Sequence, residues 1–216
     1  MGDLVRDRAA FCKGARPGGG ADDLLVGGLA VPRLFVALAM PEPVAEELDR
    51  LCNGLPGVRW TCAEQFHLTL RFIGEVDPTT FCEIGEALAS VSLPPFELRL
   101  KGIGQFPPRG MPHTLWAGVE EAEPVVRLRR RIERVLNDLG IPPERRKFVP
   151  HVTLGRVKES LPQDRFGSFL ARRALFRSSP FPVSRFGLYS SVLRPEGAEH
   201  LLEAEYDFVT GVMERA

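Results

Sequence analysis

The sequence predicts a fold of mixed helices and strands built as two similar halves about a pseudo-two-fold axis. The first observation is a repeat: Phe66-His67-Leu68-Thr69-Leu70 returns 84 residues later as Pro150-His151-Val152-Thr153-Leu154. The second is the order around it. A short apolar run, a helical stripe and a His strand occur twice, with Leu34 standing 33 residues before His67 and Leu115 standing 36 before His151. The third is the Pro/Gly-rich segment from Gly102 to Pro112, which divides the two occurrences. A repeated supersecondary unit that closes on its own copy sets its equivalent strands face to face. The two His strands should therefore flank a central groove.

Residues 1–31 read as a flexible extension. Gly14, Gly18, Gly19, Gly20, Gly27 and Gly28 interrupt every candidate element, and such a segment buries too little apolar surface to offset its ordering entropy. Docking of Leu24 to Val31 on the body is the less favoured alternative. The body is expected over 32–216, as one domain of two lobes. Arg33 to Ala39 is a continuous apolar run ended by Pro41, hence a buried strand. Pro43 suits a first helical turn, and Val44, Leu48, Leu51 and Leu55 carry the stripe until Gly57. In the His strand that follows, alternation puts His67, Thr69 and Arg71 on one face and Phe66, Leu68, Leu70 and Phe72 on the other. Asp77-Pro78 starts the next helix, with Phe81, Ile84, Leu88 and Val91 inward. Phe96, Leu98 and Leu100 alternate as a half-buried strand.

Beyond the divide, Thr114 to Val119 reads as a strand. Val125, Leu128, Ile132, Val135 and Leu139 form a helix closed by Gly140 and Pro142. Its Arg127, Arg129, Arg130, Arg131 and Arg134 are expected on a solvated face. Arg145, Arg146 and Lys147 are better placed to meet a polyanion. The second His strand follows, then a short helix with Phe166, Phe169 and Leu170, and a hairpin of Phe186 to Leu193 with Leu201 to Phe208 around Pro195-Glu196-Gly197.

Composition narrows the classes. Lys+Arg and Asp+Glu are equal at 28 each, so any anion site must be local. No run approaches the ~18 apolar residues of a membrane helix, and the start lacks a secretory leader, so a cytoplasmic protein is expected. The four cysteines, Cys12, Cys52, Cys62 and Cys82, form no C-x-x-C pair and read as reduced thiols.

A His and a Thr two residues apart on one strand face place a proton-transfer group beside a hydroxyl. Two such pairs across one groove suit a phosphate: one neutral imidazole, with a pKa near ~6.5, takes a proton from water while a charged partner gives one to the leaving oxygen. The hydroxyls of Thr69 and Thr153 hold the other oxygens. Acid and base are both side chains, so no metal or cofactor is called for. A zinc hydrolase would need further ligands that neither strand offers at ligand spacing. A non-catalytic RNA-binding module needs no doubled His. Phe148 and Tyr189 could stack on a nucleobase, with core packing the alternative for Phe148. His113 and His200 lack a Thr partner and read as incidental.

His67-Leu68-Thr69-Leu70 and His151-Val152-Thr153-Leu154 together resemble the signature of the two-histidine (2H) phosphoesterases. Arg33 to Leu38, Phe72-Ile73-Gly74-Glu75-Val76 and Gly155-Arg156 are similar to the RNA 2′,3′-cyclic phosphodiesterases, once called 2′-5′ RNA ligases. The resemblance covers residues 33 to about 208. It implies a bilobal α+β fold of two antiparallel sheets with the active-site cleft between lobes. It implies hydrolysis of RNA 2′,3′-cyclic phosphate ends to 2′-phosphates by a monomer, tRNA fragments being one candidate substrate, with reversible 2′-5′ ligation. It makes His67 the acid on the departing 3′ oxygen, His151 the base, Thr69 and Thr153 phosphate ligands, and Arg156 a contact to phosphate or base. Strict alternation puts Arg156 on the wrong face, so that role requires the strand to end or twist at Gly155. Small cyclic nucleotides and 2′-5′ oligonucleotides are the alternative substrates.

Overall fold

The structure, a computed structural model, describes residues 33–158, 163–194 and 197–208. The extension expected over 1–31 and the tip of the last hairpin, Pro195 and Glu196, lie outside the described residues. The strands are β1 (Arg33–Ala39), β2 (Val58–Trp60), β3 (His67–Gly74), β4 (Phe96–Leu98), β5 (Leu100–Phe106), β6 (Thr114–Val119), β7 (His151–Val157), β8 (Phe181–Val183), β9 (Arg185–Arg194) and β10 (Gly197–Asp207). The helices are α1 (Glu42–Asp49), α2 (Pro78–Leu88), α3 (Glu123–Asp138) and α4 (Gln163–Arg173). No helix among the described residues is long and apolar enough to cross a membrane.

Local chemistry sets these boundaries. Asp77 caps α2 by accepting from the backbone N–H groups of Thr79 and Thr80, and Pro78 occupies its first turn. α1 stops at Asp49, earlier than its apolar spacing suggests. Leu55 is buried from the turn beyond it instead. The alternation of Phe96 to Leu100 is interrupted at Arg99: β4 turns away to pair with β8, while β5 runs on into the Gly-rich segment to pair with β6. That segment is therefore largely strand, and Gly104 has a packing reason. A Cβ there would lie 2.2 Å from the Trp116 ring, which crosses the neighbouring strand flat.

The sheet order is β10-β9-β1-β3-β7-β6-β5, antiparallel at every pairing, with β2 also on β7. It divides into two four-stranded antiparallel sheets, β10-β9-β1-β3 and β2-β7-β6-β5, that touch through one residue pair, Leu68↔Val152. These are the middle residues of the two motifs. Antiparallel pairing at that point sets His67 against Thr153 and Thr69 against His151, the exchange a pseudo-two-fold axis requires. The helices cover one face. Val44, Leu48, Ile84, Leu88, Val125, Leu128, Ile132 and Leu136 pack against Val36, Leu38, Leu68, Leu70, Leu115, Ala117, Val152 and Leu154.

Each His strand carries a β-bulge one residue after its Thr. Ala37 pairs with Thr69 but Val36 with Arg71, leaving Leu70 unpaired; Trp116 pairs with Thr153 but Leu115 with Gly155, leaving Leu154 unpaired. An extra residue reverses the alternation beyond it. Phe72 thus lies on the His67 face with its ring 5.8 Å from Phe35, where uniform alternation puts it in the core. Arg71 turns the other way. It is buried, not solvated, and pairs with Glu133 of α3 at 3.1 Å. Arg156 comes onto the face of His151, by a bulge at Leu154 and not by a twist at Gly155. Gly155 is needed because β2 passes close: a Cβ would lie 2.9 Å from the Arg59 carbonyl.

Candidate active site

The uncovered face of the two sheets forms a groove of about 1120 Å³ that contains both motifs. His67, Thr69, His151, Thr153, Arg156 and Phe148 all line it. The two imidazoles are held identically. Nδ1 of His67 is 2.8 Å from the carbonyl of Gln65, and Nδ1 of His151 is 2.7 Å from that of Val149. A carbonyl only accepts, so each Nδ1 keeps its proton and each Nε2 is left for chemistry. Rings pack against them edge-on: His200 against His67 at 4.9 Å and Phe106 against His151 at 4.9 Å.

Burial sets their proton affinity. His67 is pushed down to about 4, by desolvation first and then by the charges of His200 and His151, against the pull of the Gln65 carbonyl. Desolvation also lowers His151, against the Val149 carbonyl. In the free groove both are neutral at pH 7. The walls are cationic: Arg33, Arg59, Arg146, Lys147, Arg156 and Lys158 line the groove against Glu144, besides Arg71 and Arg129, whose charges Glu133 meets from behind. In a chain of zero net charge that concentration selects an anionic ligand. Arg146, Lys147 and Arg156 are exposed parts of this lining; Arg145 is exposed outside it.

Three assignments change. Tyr189 is not among the lining residues; it stacks on Phe35, 5.3 Å centroid to centroid, and supports the ring that touches His67. Phe148 is half-buried, with the Arg129 guanidinium 4.6 Å above its ring. Arg129 is accordingly not solvated like its neighbours on α3: it also donates to the Leu70 carbonyl at 3.2 Å and pairs with Glu133 at 2.8 Å. His200 is not incidental, since it lines the groove beside His67 and Phe35. Only the three-dimensional pairing of β10 with β9 and of β9 with β1 brings it there. His113 is exposed and outside the lining. Among the described residues no three His, Cys, Asp or Glu side chains are grouped so as to hold a metal ion.

The α+β fold of two antiparallel sheets agrees with the comparisons to known proteins. The family described as LigT like Phosphoesterase matches residues 38–116 and 118–198, one segment for each motif, and the chain belongs to this family. A Thermotoga maritima protein named RNA 2′,3′-cyclic phosphodiesterase is 33% identical over 195 residues, covering 85% of this chain and 100% of its own. One of the same name from Aeropyrum pernix is 38% identical over 135 residues, covering 62% of this chain and 77% of its own. The crystal structure of a Thermus thermophilus protein superposes with a TM-score of 0.70 at 28% identity, covering 83% of this chain and 99% of that one.

Proposed function

We propose that the chain hydrolyses the 2′,3′-cyclic phosphate at the end of an RNA to a 2′-phosphomonoester, without a metal. The observation that carries this reading is the pair of imidazoles, each pinned through Nδ1 to the carbonyl two residues before it, in one cationic groove. His151 Nε2 takes a proton from water as its oxygen attacks phosphorus. The bond from phosphorus to O3′ breaks, and His67 Nε2 gives its proton to O3′. Thr69, Thr153 and Arg156 hold the non-bridging oxygens, where charge accumulates in the transition state. His67 gains its proton with the substrate, because a bound phosphodiester anion favours the imidazolium that burial disfavours in the empty groove.

The names carried by the relatives support the substrate class. The terminal base has a platform in Phe72, a residue 58% exposed on the groove face, and Phe148 lines the same groove. A 5′-hydroxyl attacking in place of water forms a 2′-5′ phosphodiester by the same proton transfers, and this step is reversible. On this reading the chain acts as a monomer in the cytoplasm, on tRNA fragments among other cleaved RNAs. Enzyme treated with EDTA and dialysed is expected to convert cyclic-phosphate-ended RNA to the monoester at an unchanged rate. Loss of turnover on chelation and its return with added Zn²⁺ contradicts the metal-free scheme.

A further inference from the structure

A row of polar side chains on the β10-β9-β1-β3 wall of the groove has no part in the hydrolysis just described. Arg33 of β1, Ser191 of β9 and His200 of β10 stand opposite one another on three adjacent strands, Arg33↔Ser191 and His200↔Ser191, and all three line the groove. Directly opposed residues share a face, and strands lie ~4.8 Å apart, so the row spans roughly 10 Å. Ser190, one residue before Ser191, points the other way and donates to Glu203 in the buried layer. The row ends beside the reaction, because His200 packs its ring 4.9 Å from His67. Arg33 pairs with Glu75, 3.4 Å from Nε, and both side chains of that pair are more than half exposed. Such a pair yields readily to a better anion.

In-line displacement fixes which part of the substrate reaches this wall. Water enters from His151, so the departing O3′ faces His67. O3′ is bonded to C3′, and C3′ through C4′ and C5′ leads to the 5′ oxygen of the same nucleoside. The sugar and whatever its 5′ oxygen carries therefore lie along the wall that holds His67, Phe35 and His200. We propose that Arg33, Ser191 and His200 form a subsite for the phosphodiester on the 5′ side of the terminal nucleoside, so that the enzyme selects an RNA chain over a lone nucleoside cyclic phosphate. The guanidinium supplies charge, while the imidazole, which burial holds below its ordinary proton affinity, and the serine hydroxyl supply two further donors. This inference rests on the proposed placement of His67 at O3′.

The test compares three substrates: a nucleoside 2′,3′-cyclic phosphate, a dinucleotide ending in the same group, and that dinucleotide with an uncharged methylphosphonate linkage. Wild-type kcat/KM is expected to favour the charged dinucleotide by about 10-fold or more over both others, the scale of a charge-assisted contact. In Arg33→Gln and in His200→Gln, each shown folded by circular dichroism, that preference is expected to fall below about 3-fold. A methylphosphonate dinucleotide cleaved as well as the diester overturns the subsite, and so does a preference that survives in either variant. Hydrolysis of none of the three by wild-type enzyme overturns the proposed function itself, and the subsite with it.

Discussion

His67 and His151 occupy equivalent positions, yet the protein holds His67 lower, at about 4, because His200 and Phe35 enclose it. Alanine at either position is expected to lower turnover by at least ~10²-fold with the fold intact, the usual cost of losing a general acid or base. Near-wild-type turnover in either folded variant contradicts the assignment. The depressed proton affinity also bears on stability. In the unfolded chain His67 titrates near its ordinary 6.5, and in the folded chain near 4, so the unfolded state binds more protons between these values. His67 therefore gives up stability as pH falls from 6.5 to about 4, up to roughly 3 kcal/mol in all, and none further below. Urea denaturation of wild type and His67→Gln at several pH values measures this: the stability difference between them should shift against the wild type across that window. A difference independent of pH contradicts the burial of His67. Both histidines were legible as a pair in the sequence, as were Thr69 and Thr153; Arg156 was named by resemblance alone, and what turns it to the groove was not legible. His200 was not, because its nearness to His67 follows from the pairing of β10, β9 and β1 and from no spacing along the chain.

At the scale of elements, the helices and most strands follow from apolar periodicity, and α2 also from its Asp77-Pro78 start. The bulges at Leu70 and Leu154 do not, since a bulge is defined by the residue count of the partner strand. They decide the faces of Arg71, Phe72 and Arg156. The first bulge is tied to α3. Its unpaired carbonyl at Leu70 accepts from Arg129, while Arg71 donates to the carbonyls of Phe72 and Pro142 and pairs with Glu133. Arg71 is 5% exposed, so removing its charge leaves two part-buried carbonyls without this donor and Glu133 to Arg129 alone. Arg71→Met is expected to destabilise the protein by about 3 kcal/mol in chemical denaturation, the scale for one partner of a buried pair. A loss below ~1 kcal/mol would place the network among ordinary surface pairs. The second bulge has Gly155 where the first has Arg71, because β2 occupies the space.

At the scale of the molecule, one site is assembled from two half-sites that meet at Leu68 and Val152. The pseudo-symmetry was legible in the repeat, since both motifs share length, order and flanking leucines. What breaks the symmetry was not. Phe72 faces the groove where its counterpart is Arg156, and His200 and Phe35 crowd His67 where Phe106 and Trp116 crowd His151. That asymmetry gives the two imidazoles different partners and the substrate a direction. Its readout is the identity of the product. Phosphorus NMR of an RNA 2′,3′-cyclic phosphate incubated with the enzyme, compared with authentic 2′- and 3′-phosphate standards, measures which ester bond has broken. Release of O3′ toward His67 predicts the 2′-phosphate, and a predominantly 3′-phosphate product would contradict the assignment of acid and base.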